Sequence, residues 1–148
     1  MSDAPANKVV IAAYLREVDR GNNEALRDFG RADLVLHLPG FPPLNLEAAV
    51  ESGRNFRTAF PDISHESQEL IAEGDRVVLS TVLKGTQAGS FQGMAPTGRP
   101  VTIDVMTVFR LEEGRIAEIW ELADLLHLFL QLGFSLQPPS QTGNGKGF

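Results

Sequence analysis

In the segment Ile116-Ala-Glu118-Ile-Trp120-Glu-Leu-Ala-Asp124, two carboxylates flank the only tryptophan of the chain at even spacing. If the segment is a strand behind a turn at Gly114, alternation puts Ile116, Glu118, Trp120, Leu122 and Asp124 on one face. A carboxylate held against large apolar surface is harder to ionise, and its pKa rises toward the range useful to a general acid or base. The same carboxylate turned to water would do nothing of the kind, so both placements stay open. A turn at Glu112-Glu113-Gly114 would set Val108 opposite Glu118 and Met106 opposite Trp120, and Asp104 would join the same face. Glu118, Asp104 and Asp124 are therefore the candidate proton carriers, with Trp120 available to stack on a flat ring and Met106 beside it.

Other chemistries have less support. The chain has no cysteine, which removes thiolate nucleophiles, disulfides and Cys-ligated metals. His37, His65 and His127 lie far apart without ligand spacing, and neither glycine-rich phosphate motif is present, so no metal or cofactor is expected. No serine sits in a nucleophile-elbow context. His37, between leucines and just before Pro39-Gly40-Phe-Pro-Pro43, has a suitable pKa for catalysis, although a lone strand histidine can equally be structural. Tyr14 can turn its hydroxyl into a cavity or simply pack in the core. Phe56, Phe60 and Met94 suit apolar walls.

The elements that must position these groups follow from periodicity. Val10, Ile11, Tyr14, Leu15 and Val18 have helical spacing, and Gly21 ends that helix. Asn23 is placed to cap a short helix through Leu26 and Phe29, with Gly30 as its stop, before a buried strand over residues 34–38. Asn45 can cap a helix carrying Leu46, Val50, Phe56 and Phe60, which stops at Pro61-Asp62. Strands at 63–72 and 77–83 form one hairpin across Glu73-Gly74-Asp75-Arg76, and strands at 101–111 and 116–124 form a second. A glycine- and threonine-rich loop spans 85–98, and a short apolar helix ends at Gln131-Leu132-Gly133. Helices at the front and long antiparallel strands behind indicate an α+β fold with helices laid on one face of a curved sheet.

A chain of 148 residues with 43% hydrophobic content suits one globular domain. We expect that domain to span 1–136, with Gln137 to Phe148 as a disordered tail, because Pro, Gly, Ser, Asn and Gln there can bury little apolar surface. A net charge of -6 with scattered Lys and Arg argues against nucleic-acid binding. Neither an apolar run long enough to span a bilayer nor a basic amphipathic helix is present, so a soluble, cytoplasmic protein without a membrane partner is expected. The alternate face of the second hairpin (Ile103, Val105, Phe109, Ala117, Ile119) is also apolar. Helices can cover one side of such a sheet, so a homo-oligomer, most simply a dimer joined through the sheet's outer face, is expected.

Five fragments in order carry a family resemblance: Ala59-Phe-Pro-Asp62; Ala72-Glu-Gly-Asp75-Arg-Val; Gly85-Thr86-x-x-Gly89-x-Phe91-x-Gly93-x-x-Pro96-Thr97-Gly98; Arg110-x-x-x-Gly114-x-Ile116-x-Glu118-x-Trp120-x-x-x-Asp124; and Gln131-Leu-Gly133. Over roughly residues 8 to 135 the chain resembles the SnoaL-like polyketide cyclase (ester cyclase) family of the nuclear-transport-factor-two-like superfamily. The resemblance implies a conical barrel of curved antiparallel sheet, wrapped by the N-terminal helices around a deep pocket and commonly assembled as a dimer or tetramer. It also implies a cofactor-free intramolecular aldol closure of a hydrophobic, polyketide-like carbonyl compound, in which a carboxylate handles the proton of an activated methylene. Many relatives have His where this chain has Gln87, a group that hydrogen-bonds but does not titrate near neutrality. The same cup could serve a non-catalytic small-molecule binder, or a hydrolase that activates water.

Overall fold

The computed structural model describes residues 3–140, so part of the expected tail, residues 141–148, lies outside the described residues. Helix α1 (Ala4–Asp19) begins before the apolar periodicity does, because the Asp3 carboxylate accepts from the Ala6 N–H at 3.1 Å and Pro5 lies in the first turn. Helix α2 is short (Ala25–Phe29), and Asn22, rather than Asn23, organises its start by accepting from the Glu24 N–H at 3.0 Å. Strand β1 (Gly30–His37) leads through the proline loop to the two-residue β2 (Leu44–Asn45), which the sequence reading missed. Helix α3 (Leu46–Ala59) is capped as expected, with the Asn45 side chain accepting from the Ala48 N–H at 2.9 Å.

Two hairpins complete the sheet: β3 (Ser64–Glu73) with β4 (Arg76–Thr86), and β5 (Pro100–Glu112) with β6 (Arg115–Ala123). Residues Glu113 and Gly114 make the second turn with both φ positive, the geometry of a tight two-residue hairpin. Helix α4 (Leu125–Gln131) follows, and its N-terminus is capped by Asp124, whose carboxylate accepts from the His127 N–H at 3.0 Å. The strand order is β2-β1-β6-β5-β4-β3. The sheet is mixed, since β1 runs parallel to β6, and it stays open, with β2 and β3 as its edges.

Helices α1 and α3 cover one face of this sheet, and the alternation of burial says which. Ile103, Val105, Thr107, Phe109 and Leu111 of β5 are buried toward the helices, as are Val77, Leu79 and Thr81 of β4. Asp104 and Met106 face the other way. Pairing of Thr107 with Glu121 and Phe109 with Ile119 puts Glu121 and Ile119 on the helix side, while Arg110 opposes Glu118 and Val108 opposes Trp120 on the outer side. Two expectations are thereby corrected. The apolar set Ile103, Val105, Phe109, Ala117 and Ile119 is the core rather than a surface awaiting a partner, and the face with Glu118, Trp120 and Asp104 is the outer one. Alternation fixes which residues share a face, but both faces of this hairpin carry apolar side chains, so it does not decide which one the helices take. The register differs too: a bulge at Ala117 shifts the pairing between Leu111–Ile116 and Arg110–Glu118, and Ile116 turns into the core.

The buried apolar residues form two clusters. One gathers Ile11, Leu15, Leu34, Val50, Phe109 and Ile119, and the other Ala59, Phe60, Ile103, Val105, Leu128 and Leu132. Between them on the inner face lie the polar positions Thr81, Thr107 and Glu121, and Thr81 is taken up by a hydrogen bond to the Ser67 carbonyl.

Candidate functional site

Glu121 is the group that this seam singles out. It is deeply enclosed by protein atoms, and desolvation alone pushes its pKa above the ordinary glutamate range. It nevertheless keeps accessible surface, and its carboxylate has no hydrogen-bond partner among the described residues. Among the described residues, no buried side-chain N or O atom is both sealed from solvent and unpartnered, so the Glu121 oxygens keep accessible surface. The Tyr14 hydroxyl is in the same position: enclosed, without a hydrogen-bond partner among the described residues and still accessible, with its pKa raised first by burial and then by the charge of Glu121. Its ring is held edge-on between Phe29 and Phe109, with centroids 5.9 and 6.0 Å away. Glu121, paired across the strands with Thr107, thus lies close enough to Tyr14 of α1 for its charge to act on the phenol, and both side chains keep some accessible surface.

Aromatic rings gather at the second cluster. Phe60 is fully buried, its ring 5.0 Å from Phe56 and 5.3 Å from Phe91, and Phe56, Phe91 and Met94 pack partly buried against the second cluster. Gln87 plays a different part. Completely buried, it donates through Nε2 to the carbonyls of Gly89 and Ala95, and it accepts through Oε1 from the N–H and hydroxyl of Thr97 at 3.1 and 2.7 Å. That fills its capacity and ties the β4–β5 loop together.

The other expected carboxylates lie elsewhere. On the outer face, Glu118 Oε2 meets His37 Nε2 at 2.6 Å and its Oε1 accepts from Arg110 Nε at 3.2 Å. The His37 hydrogen bond, followed by Arg110, holds its pKa below the usual glutamate value. His37 stacks on Trp120 with centroids 5.3 Å apart and planes 12° from parallel, and the Arg76 guanidinium lies 4.9 Å from the same indole. Trp120 thus stacks on protein groups. Asp104 is exposed and Asp124 caps α4; both line an outer groove of about 520 Å³ together with Met106, Leu122, Leu125 and Leu126. Of the histidines outside this cluster, His65 pairs with Asp19 at 2.6 Å, clasping the end of α1 to β3, and His127 lies in the first turn of α4.

Glu121 escaped the sequence reading although a signal was there. It is the lone carboxylate among Ile103, Val105, Phe109 and Ile119, and an acid on an otherwise apolar strand face is rarely placed there by packing. Among the described residues, no group of three or more His, Cys, Asp or Glu gathers to hold a metal ion, and no helix is long and apolar enough to cross a membrane.

Comparison with known proteins agrees with this architecture. The family described as SnoaL-like polyketide cyclase matches residues 8–132. IdmH of Streptomyces antibioticus, a candidate polyketide cyclase, is 30% identical, with 86% of this chain and 99% of that one covered at a TM-score of 0.76. A candidate polyketide cyclase of Acidithiobacillus ferrooxidans is 28% identical over 89% of this chain and 97% of its own, also at 0.76. AclR of Streptomyces galilaeus, a candidate hydroxylase, has the same fold at a TM-score of 0.82 with 24% identity, over 88% and 98% of the two chains. No curated protein gives a significant match.

Proposed function

The chain belongs to the SnoaL-like polyketide cyclase family, and on that premise we propose that it is a cofactor-independent cyclase or isomerase in which Glu121 moves a proton on an apolar, enolisable carbonyl compound. The observation that carries this reading is the Glu121 carboxylate itself: enclosed, without a hydrogen-bond partner among the described residues, yet still accessible on a strand face whose neighbours belong to two apolar clusters. A desolvated carboxylate is a stronger base than one in water, and an apolar seam favours a ligand of matching character. In the proposed step Glu121 takes a proton from the carbon beside a carbonyl. The Tyr14 hydroxyl, kept protonated by its raised pKa, donates to the enolate oxygen. The enolate carbon then attacks a second carbonyl of the same molecule, and the new alkoxide recovers the proton from Glu121. Thr107, directly across the strand pair from Glu121, offers a hydroxyl to position the substrate.

Proton exchange at the α-carbon of 2-tetralone, followed by NMR in deuterated buffer, isolates the first step. Wild-type protein should accelerate it, and Glu121→Gln should lower the rate by about a hundredfold or more. Glu118→Gln should leave it within about twofold, since its ion-paired carboxylate is on the far side of the sheet. Binding of the ketone with no accelerated exchange would turn the reading into that of a small-molecule binder. The hydrolase alternative would instead require carboxylates with an Arg or amide partner to hold a water, and Glu121 has no such partner among the described residues.

The outer face is proposed to meet a second copy of the chain. Ile71, Met106 and Leu122 are 60, 55 and 61% exposed on a sheet face that no helix covers. Light scattering should give the mass of a dimer, and a monomer mass at micromolar concentration would refute it.

A further inference from the structure

We infer that the Thr107 hydroxyl is a second hydrogen-bond donor, beside Tyr14, to the substrate oxygen that gains charge as Glu121 takes its proton. This rests on the interior site proposed above and adds a catalytic residue to it. Thr107 is 3% exposed, and its hydroxyl has no hydrogen-bond partner among the described residues. Since no buried side-chain oxygen of those residues is both sealed from solvent and unpartnered, part of the little surface that Thr107 keeps belongs to the hydroxyl itself. Its neighbours explain why it finds no partner. Across the strands it faces Leu79 on β4 and Glu121 on β6, and its same-face neighbours along β5 are Val105 and Phe109. Glu121 is the one polar group of the four, and the two make no hydrogen bond to each other.

Thr81 shows how the same sheet treats a threonine that serves packing alone. It lies diagonally across from Thr107 on β4, is 4% exposed, and its hydroxyl donates to the Ser67 carbonyl. Thr107 breaks that pattern, since a valine would fill its place without stranding a polar atom. What its hydroxyl can reach follows from the register. Directly opposed residues of an antiparallel pair hold their Cβ atoms about 5 Å apart, so Thr107 and Glu121 can close on neighbouring atoms of one molecule. A carbonyl oxygen and its α-carbon are such neighbours. Tyr14 reaches the same place from α1: its ring lies 6.0 Å from that of Phe109, two residues along from Thr107, and the charge of Glu121 acts on its phenol. When the α-carbon loses its proton to Glu121, the C–H pair forms the C=C bond and the carbonyl π pair moves to oxygen. Two donors converging on that oxygen stabilise the charge more than one.

The test compares Thr107→Val, Thr107→Ser and Thr81→Val in the full chain, by melting temperature and by calorimetric Kd for 2-tetralone, a ketone, and 2-naphthol, which aromaticity fixes as an enol. Thr107→Val should bind 2-naphthol about tenfold more weakly and 2-tetralone within about threefold of wild type, because a donor holds a charge-bearing oxygen roughly twice as strongly as a neutral one. Thr107→Ser should return 2-naphthol to within about threefold of wild type. In tetralone exchange, Thr107→Val should lower kcat about tenfold or more and leave KM nearly unchanged. Its melting temperature should hold or rise, having no protein hydrogen bond to lose, whereas Thr81→Val should melt about 3 °C lower or more. An unchanged 2-naphthol Kd in Thr107→Val, a serine variant no better than valine, or a fall in melting temperature equal to that of Thr81→Val overturns the inference, as does a wild-type protein that does not bind 2-naphthol. The enol is bound without being turned over, so the proton-transfer reading fails separately: full exchange in Glu121→Gln would remove the base and leave the Thr107 result standing.

Discussion

Two glutamates three residues apart on β6 have opposite electrostatic surroundings. Glu118, on the outer face, is met by His37 and Arg110, which hold its pKa down. Glu121, on the inner face, meets no charge of opposite sign among the causes that shift it, and desolvation holds its pKa up. One strand therefore carries an ionised, partnered carboxylate outside and a reluctant, solitary one inside. The difference shows that residue type and spacing do not fix a carboxylate's proton affinity; the face does, through what stands opposite it.

The comparison breaks most visibly at proton transfer, where Glu121→Gln should remove about two orders of magnitude of ketone exchange and Glu118→Gln almost nothing. Next is the pH dependence of stability. Between the ordinary glutamate pKa and its own raised value, native Glu121 binds more protons than the unfolded chain does, so its contribution to stability falls as pH rises through that window. Glu121→Gln should then raise the melting temperature at neutral pH by a few degrees and flatten its decline above about pH 4.5. Glu118 has the reverse sign. Its depressed pKa makes its contribution fully present above the ordinary glutamate value and lost as pH falls through the depressed one, so Glu118→Gln should lower stability at neutral pH by about 1 kcal/mol or less. Equal effects of both substitutions in thermal melts from pH 3 to 8 would erase the distinction between the faces.

A third experiment addresses the outer face alone. Leu122→Asp puts a charge into its exposed apolar patch and should shift the dimer to monomer in light scattering, with ketone exchange per chain reduced less than the hundredfold of Glu121→Gln. The smallest effect belongs to the end of the chain. Residues 137–140 have no regular structure and are exposed, and truncation after Ser140 should move neither the melting temperature nor the 2-tetralone Kd. A drop of several degrees would show that the tail docks.

Much of the fold was legible because local chemistry enforces it. Asn45 caps α3, Gly74 and Gly114 turn the hairpins, and Asp104, Glu118 and Trp120 share a face as alternation requires. The site was less legible, for two physical reasons. The bulge at Ala117 breaks the simple alternation that had grouped Ile116 with Glu118. More important, the choice of face is a tertiary decision: α1 and α3 pack beside Phe109, α4 and the end of α3 beside Ile103 and Val105, and that apolar surface is not distinguishable in a strand-level reading from the one bearing Met106, Val108 and Leu122. Asp124 illustrates the same limit, since the start of α4 converts it from a strand-face acid into a cap. Gln87 became a loop strut because the backbone of the β4–β5 loop closes around it.

The most direct measurement is a carbon-detected NMR titration of the side-chain carboxyls in the intact protein, with Glu118 and Glu121 assigned in one sample and the titration repeated with 2-tetralone. The account predicts that Glu121 titrates above the ordinary glutamate range and moves on addition of the ketone, while Glu118 titrates below it and does not respond. A Glu121 that titrates normally and ignores the ketone, with Glu118 raised and responsive, would contradict it.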